Sequence, residues 1–439
     1  MRSFRSKAGA AIGLTLLLGL PWVAPAAAAP GEQRADAAEQ GQRVRPGEPA
    51  GSRPASPAGM RAGRLSCGDV ITRSTTLVAD VGPCPGNGIV IGADNIRLNL
   101  NGHTVAGTAG VGDGSAAGIR LPFRTGVTIT GRPGNSGHSG TVTGFDAGVF
   151  VNGGSGNTIE NLIVSDNISQ AEDALLGDGI VLFHSAANRI INNVVTHNGP
   201  FDGIGVLGDG SDDNVIHRNT VERTDSGGGE FFGGGGTGII LNAFLDDTDP
   251  PLRGLSVYRN HVTQNDVSRN DNAGISNVSH VEGRIEGNVV QDNGQLGETC
   301  FPFLDRNICR PTATPSNGIG VTVGPESETR TRMLISGNTV TGNTGDGIVL
   351  GRLGLTVRDN RVIGNVATGN GGSGHSEAVG TPFEETAAYD LHDFASDGGR
   401  PARYDCDNNV WLDNIFNTAF PACIYEQHGL RPPAPPPPP

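Results

Sequence analysis

The sequence predicts an all-β protein, a right-handed parallel β-helix with disulfide-stapled end segments, and three observations carry that prediction. An asparagine recurs along the chain with aliphatic residues at fixed offsets, a Gly-Ile pair recurs between these units, and good helix formers are scarce in a text with 69 glycines and one lysine, Lys7. A repeat that cannot bury its own apolar face must stack on its neighbours.

The frame is set by Asn161, Asn193, Asn219, Asn260, Asn288, Asn338 and Asn360. Two residues after each comes a β-branched aliphatic: Ile163, Val195, Val221, Val262, Val290, Val340 and Val362. Three residues before, all but the first have another: Ile190, Ile216, Val257, Ile285, Ile335 and Val357. Five residues after, Asn or Asp returns in every unit except one, where Thr224 stands.

Gly179-Ile180, Gly203-Ile204, Gly238-Ile239, Gly274-Ile275, Gly318-Ile319 and Gly347-Ile348 mark a second position, followed by alternating apolar residues of strand period. The shortest unit in this frame, Asn338 to Asn360, is 22 residues. That suits three short strands and is too short for a strand–helix–strand crossover with its loops. Coils then pair about 4.8 Å apart, inward Val and Ile stack, and the asparagines hydrogen-bond from coil to coil.

Two spacings are longer. Asn219 to Asn260 carries a glycine-rich stretch, 227–236, and an acidic one with Asp246, Asp247 and Asp249. Asn288 to Asn338 carries Cys300 and Cys309. With Cys67, Cys84, Cys406 and Cys423 these make three sequence-local pairs, and in an exported chain proximity favours the disulfides 67–84, 300–309 and 406–423. The outer two pairs sit where a solenoid needs caps over its open sheet ends.

Export is expected from the ends. Arg2, Arg5 and Lys7 precede an apolar run, 10–20, and a small-residue tract, 26–29, so residues 1–29 read as a signal peptide rather than a membrane span. Residues 30–63 read as a disordered Pro/Gly-rich leader, 64–427 as the β-helix with its C-terminal cap, and 428–439 as a Pro-rich tail. No later stretch is apolar enough to be a transmembrane anchor, and oligomeric state is silent. Without the signal segment, 28 basic face 45 acidic residues, about −17. That balance argues against nucleic acid as a partner and is compatible with Ca²⁺.

The opening CGDVITRSTTLVADVGPCPGNGI, followed by IRLNLNGHTVAG, resembles the start of secreted bacterial parallel β-helix repeat proteins of the pectin-lyase-like superfamily, including the NosD-type periplasmic β-helix. The ending CDNNVWLDNIF and PACI resembles their C-terminal segment, so the resemblance runs from Cys67 to Ile424. It implies the fold, not a reaction, since polysaccharide lyases, hydrolases and uronate epimerases share it with chains of no assigned activity.

P-loop, zincin and G-x-S-x-G patterns are absent, and so is the polygalacturonase pattern of paired aspartates with Gly-His-Gly. The frame offers its own candidate. Two residues before each asparagine the side chain faces outward, in the column Ile191, His217, Tyr258, Glu286, Ser336 and Arg358, with Arg218 and Arg259 in the next. His217, Tyr258 and Glu286 are then expected about 5 Å apart on successive coils, walled by the two long insertions. Uronate chemistry needs an acid, a base and a cation for the carboxylate, which Tyr, His and Arg supply. A plain polar face explains the same residues.

Asp209, Asp212 and Asp213, with Asp246, Asp247 and Asp249, form a candidate Ca²⁺ site, against a reading as solvated loop charge. Asp178, Asp202 and Asp346 before Gly-Ile read as turn residues, and 389–393 as part of the cap region. Three functions follow: a secreted β-helix that binds or modifies an extracellular polysaccharide, with a uronate lyase- or epimerase-like groove; a non-catalytic structural or surface-binding solenoid; and a NosD-type metal-handling accessory protein. Against the third, no soft-ligand cluster is visible, with Met60 and Met333 the only methionines after the signal segment.

Overall fold

A computed structural model describes residues 61–432 apart from 109–114, 132–139, 170–175, 226–234, 244–255, 295, 304–305, 314–315, 324–329, 352–355, 373–387 and 395–405. The chain is a right-handed parallel β-helix. Each coil lays one short strand in each of three parallel sheets, of 12, 11 and 12 strands among the described residues. One circuit runs from Arg189–Ile191 in sheet one to Val194–Thr196 in sheet two, Asp202–Leu207 in sheet three, and back to Val215–His217 in sheet one.

Strand alternation explains the core. In Val215–His217 only Ile216 points inward, and it stacks in register between Ile190 and Val262. Sheet two stacks Val195, Val221, Val267 and Val290, and sheet three stacks Ile180, Ile204, Ile239, Ile275, Ile319 and Ile348, all fully buried. β-Branched residues suit this pleated, one-sided burial.

The asparagines form three ladders rather than one. Between sheets one and two run Asn193, Asn219, Asn265, Asn288, Asn338, Asn365 and Asn414. From Asn219 onward each Oδ1 accepts both the backbone N–H and the Nδ2–H of the asparagine one coil earlier, as Asn265 does from Asn219 at 2.9 and 3.0 Å. Asn219 Nδ2 also donates to the Ile190 carbonyl at 2.9 Å. Between sheets three and one run Asn157, Asn188, Asn214 and Asn260. Between sheets two and three run Asn270, Asn293, Asn343 and Asn370, ending on Asp390. Each ladder satisfies backbone groups that a buried turn would otherwise leave unpaired.

This corrects the single asparagine frame. Ladder residues recur five apart within a coil, as in Asn260, Asn265 and Asn270 or Asn360, Asn365 and Asn370. A frame that follows one asparagine per unit therefore slips by five at Asn260 and Asn360, which belong to the ladder between sheets three and one. Asn161 is in none of the three: Leu162 takes that place, its N–H donating to Asn193 Oδ1 at 3.0 Å. Counted along the true ladder, the shortest step is 23 residues, Asn265 to Asn288.

The first sheet opens at Arg61–Gly63, inside the segment expected to be leader, pairing with Thr75–Leu77. Cys67–Cys84 closes that end and Cys406–Cys423 the other, with Cα separations of 5.4 and 6.0 Å. Cys300 stands opposite Cys309 in the backbone register of an antiparallel hairpin, and their side chains lie outside the described residues. The helix Ala422–Gln427 covers the last coil, burying Cys423, Ile424 and Tyr425. His428, expected in the tail, ends a ladder: its Nε2 accepts the Asn414 N–H at 3.1 Å. No described helix is long and apolar enough to cross a membrane. Residues 1–60, which include the expected signal peptide and most of the leader, lie outside the described residues.

Candidate functional site

The outer face of sheet one carries part of the expected column. Its true members are Ile191, His217, Thr263, Glu286, Ser336 and Ile363. Thr263 holds the place expected for Tyr258, because the slip at Asn260 shifted that coil by five residues. Tyr258 instead pairs with Val281 in the preceding corner, its N–H donating to Asp212 Oδ1 at 2.8 Å. His217 and Glu286 therefore share one column and Tyr258 does not join them.

His217 is half-buried, and its Nδ1 lies 2.8 Å from the Thr263 hydroxyl. Burial, then the nearby Arg218 and Arg189 charges, hold its pKa below the usual imidazole value, so the neutral ring prevails at neutral pH. His261 lies on the next coil, paired with Val215 two residues before His217, and burial followed by Arg284 lowers its pKa as well. Glu286 accepts a hydrogen bond from the Ser336 hydroxyl at 3.1 Å and lies 3.6 Å from the Arg284 guanidinium. Arg218 Nε donates to Gln264 Oε1 at 2.9 Å, a pair exposed along the next corner. His261, Thr263 and Arg284 escaped the sequence reading, and the ladder spacing of five, applied at Asn265, would have found them.

Arg259 is not beside His217. Its Nε and Nη2 bond both carboxylate oxygens of Asp213 at 2.7 and 2.8 Å, and that pairing holds the Asp213 pKa down. The same corner continues with Glu282 to Arg332 at 2.9 Å and Asp359 to Arg330 at 3.4 Å. Asp213 is thus engaged by a guanidinium, and Asp212 accepts a backbone N–H while burial raises its pKa. Asp209 is exposed, its carbonyl 2.8 Å from His184 Nδ1. Asp246, Asp247 and Asp249 lie outside the described residues.

Of the expected walls, residues 226–234 and 244–255 lie outside the described residues. In chain order the first comes between Thr220–Glu222 of sheet two and Thr237–Asn242 of sheet three, and the second follows that same sheet-three strand. The hairpin Leu296–Phe303 and Arg306–Ala313 also attaches at the border of sheets two and three. The corner between sheets one and two is tight through these coils because the Asn193–Asn414 ladder runs along it.

The outer face of sheet three holds aspartates expected to be turn residues. Asp178 and Asp202 occupy the same column on adjacent coils, two residues before Ile180 and Ile204. Both are buried, and neither Oδ1 has a hydrogen-bond partner. Burial, eased slightly by the Gly177 and Asp202 amides, pushes Asp178 up to about 7, and burial plus Asp178 pushes Asp202 well above the carboxylate range. Farther along the sheet, buried Asp346 lies 3.0 Å from His392 Nδ1, and His392 stacks on Phe394 with ring centroids 4.0 Å apart.

Residues 76–250 match the family model described as periplasmic copper-binding protein (NosD), so the β-helix resemblance holds over that span. No curated protein matches. Among solved structures, the chain is similar to the Dettilon tailspike protein, gp208, at 17% identity and TM-score 0.47, covering 70% of this chain and 58% of that one. The periplasmic alginate epimerase AlgG matches at 14% identity and TM-score 0.42, covering 71% and 73%. The mannuronan C-5 epimerase AlgE4 A-module of Azotobacter vinelandii matches at 16% identity and TM-score 0.34, covering 69% and 84%.

Copper in the family description calls for soft or imidazole donors held together. Met333 is buried, and its Sδ accepts the Gly283 N–H at 3.2 Å. Cys67, Cys84, Cys406 and Cys423 are tied up in disulfides. Among the described residues no three His, Cys, Asp or Glu side chains converge as a metal group. The described donor set does not fit a copper ion.

Proposed function

We propose that this NosD-like parallel β-helix is an exported protein that binds an anionic extracellular polysaccharide along the outer face of sheet one. One observation carries the reading: in a chain of net charge −14, neighbouring coils set Arg189, His217, His261 and Arg284 on one outward face, with Arg218 along its corner. Arg189 and Arg284, three coils apart in one outward column with Val215 and His261 between them, offer fixed cations to a polymer whose carboxylates recur along one axis, and the neutral His217 and His261 rings offer hydrogen bonds to it. Glu286, occupied by Ser336 and Arg284, orients the array rather than opposing the ligand. The two end disulfides favour an oxidising compartment.

A lyase or epimerase reading is favoured by His217. With Nδ1 held by Thr263 and the ring neutral, Nε2 is suited to take a proton from a sugar carbon beside a carboxylate that Arg189 or Arg284 holds. Retention on immobilised pectate, alginate and glycosaminoglycans, with ultraviolet absorbance of unsaturated products in parallel, tests both. Retention that falls at least tenfold in Arg189→Ala with Arg284→Ala supports the binding face. Equal retention in wild type and the double variant removes it. Absorbance that rises in wild type and not in His217→Ala supports the chemistry, and a flat trace with retained binding leaves a binding solenoid.

A further inference from the structure

We propose that Asp178 and Asp202 bind one hard divalent cation of the calcium class on the outer face of sheet three. The two carboxylates stand in one column on adjacent coils, about 4.8 Å apart along the backbone. Oδ1 of each is buried and without a hydrogen-bond partner, an arrangement that calls for an ion or water the protein itself does not supply. Ala147, Phe150, Leu176, Val181 and Leu207 form a buried apolar cluster on this face, with Thr237 paired with Asp202 on the next coil and Arg120 over the Phe150 ring.

Gly205 leaves room for the Asp178 carboxylate. In the outward column Phe150, Val181, Gly205, Ile240, only Gly205 has no side chain, and a Cβ there would meet Asp178 Oδ1 at 3.2 Å. The gap lets the Asp178 carboxylate lie over the next coil, toward the strand that Asp202 begins. Among the described residues no arginine acts on either carboxylate. A single shared proton would still leave one buried negative charge without a counterion, whereas a divalent cation cancels both and ligates the two orphan oxygens. Carboxylate oxygens are the donors a hard cation takes, with water and carbonyls completing the shell. The site is separate from Asp209, Asp212 and Asp213, which lie in the corner leading to sheet one.

The test uses full-length protein stripped with EDTA and titrated with Ca²⁺ or Mg²⁺ by calorimetry, with thermal unfolding followed in parallel. The expected result is one Ca²⁺ per chain and a Tm that rises with Ca²⁺. Asp178→Asn and Asp202→Asn keep the shape and should lose both effects, the stripped variants melting above the stripped wild type. Gly205→Ala narrows the gap with both carboxylates present and should weaken Ca²⁺ binding at least tenfold. A stripped wild type that takes up no cation and whose Tm ignores Ca²⁺ overturns the site. So does undiminished binding in both aspartate variants, which would place the cation elsewhere.

Discussion

The ring of His280 fills the space that a side chain on Gly283 would need: a Cβ at Gly283 would meet His280 Cε1 at 1.9 Å and Nε2 at 2.4 Å. Gly283 stands where the ladder between sheets three and one requires its next asparagine after Asn260. His280 supplies the missing acceptor from three residues upstream, its Nε2 taking the Asn260 N–H at 2.9 Å. Met333 continues the line by accepting the Gly283 N–H, and Asn360 restores the asparagines by accepting the Met333 N–H at 2.8 Å. Two departures from the repeat thus compensate each other.

That compensation predicts strong coupling. Gly283→Ala should destabilise by about 3 kcal/mol or more, adding overpacking to loss of the buried Asn260 acceptor. His280→Gly alone should cost a similar amount by leaving the Asn260 N–H unpaired. The double change His280→Gly with Gly283→Asn rebuilds an ordinary rung and should melt above either His280→Gly or Gly283→Asn alone. A double-mutant cycle in denaturant measures the coupling, and simple additivity would show the two residues to be independent.

The same ring makes the coil acid-sensitive. Burial, with a smaller push from His261, lowers the His280 pKa to about 3, against about 6.5 when unfolded. Below pH 6.5 the unfolded chain takes up a proton that the folded chain refuses, so this contribution is full above 6.5 and is lost as pH falls toward 3. The slope is about 1.4 kcal/mol per pH unit through that window. Urea midpoints from pH 8 to 4 should fall for the wild type and fall less for the His280→Gly, Gly283→Asn double variant.

Ladder rungs should rank among the most sensitive positions in the chain. Asn219 Oδ1 accepts from Asn193 twice, at 2.9 and 3.0 Å, while its Nδ2 donates to Asn265 and Ile190. Asn219→Leu removes all four bonds in a dry corner and should cost about 4 kcal/mol or more. Asp213→Asn touches a half-exposed ion pair with Arg259 and should change stability by about 1 kcal/mol or less. Thermal melts of the two variants side by side check the ranking.

The fold was legible because its constraint is periodic: inward Ile216 and Val221 flank Asn219 just as Ile190 and Val195 flank Asn193, and stacking demands it. The candidate face was only half legible. Inside a coil the spacing of five is nearly symmetric, so Asn260 and Asn265 look alike to a one-letter pattern, and only hydrogen-bond register separates them. Arg259 looked available beside His217 because its partner Asp213 lies 46 residues earlier, across a coil that includes a long insertion. The carboxylates of Asp178 and Asp202 read as turn residues since neither burial nor the gap at Gly205 leaves a mark in sequence.

Register also separates two substitutions on the candidate face. Thr263 Oγ1 fixes His217 Nδ1, so Thr263→Val frees the ring to adopt either tautomer and turns a partner into a methyl. Tyr258→Phe removes a hydroxyl from a corner one column-set away, where the backbone alone bonds Asp212. Thr263→Val should therefore shift the pH profile of polysaccharide retention, or of any unsaturated-product formation, with little change in Tm. Tyr258→Phe should leave that profile where it is. The reverse pattern, a shift with Tyr258→Phe and none with Thr263→Val, would move the site from the His217–Thr263 column to the corner that holds Asp212 and Arg259.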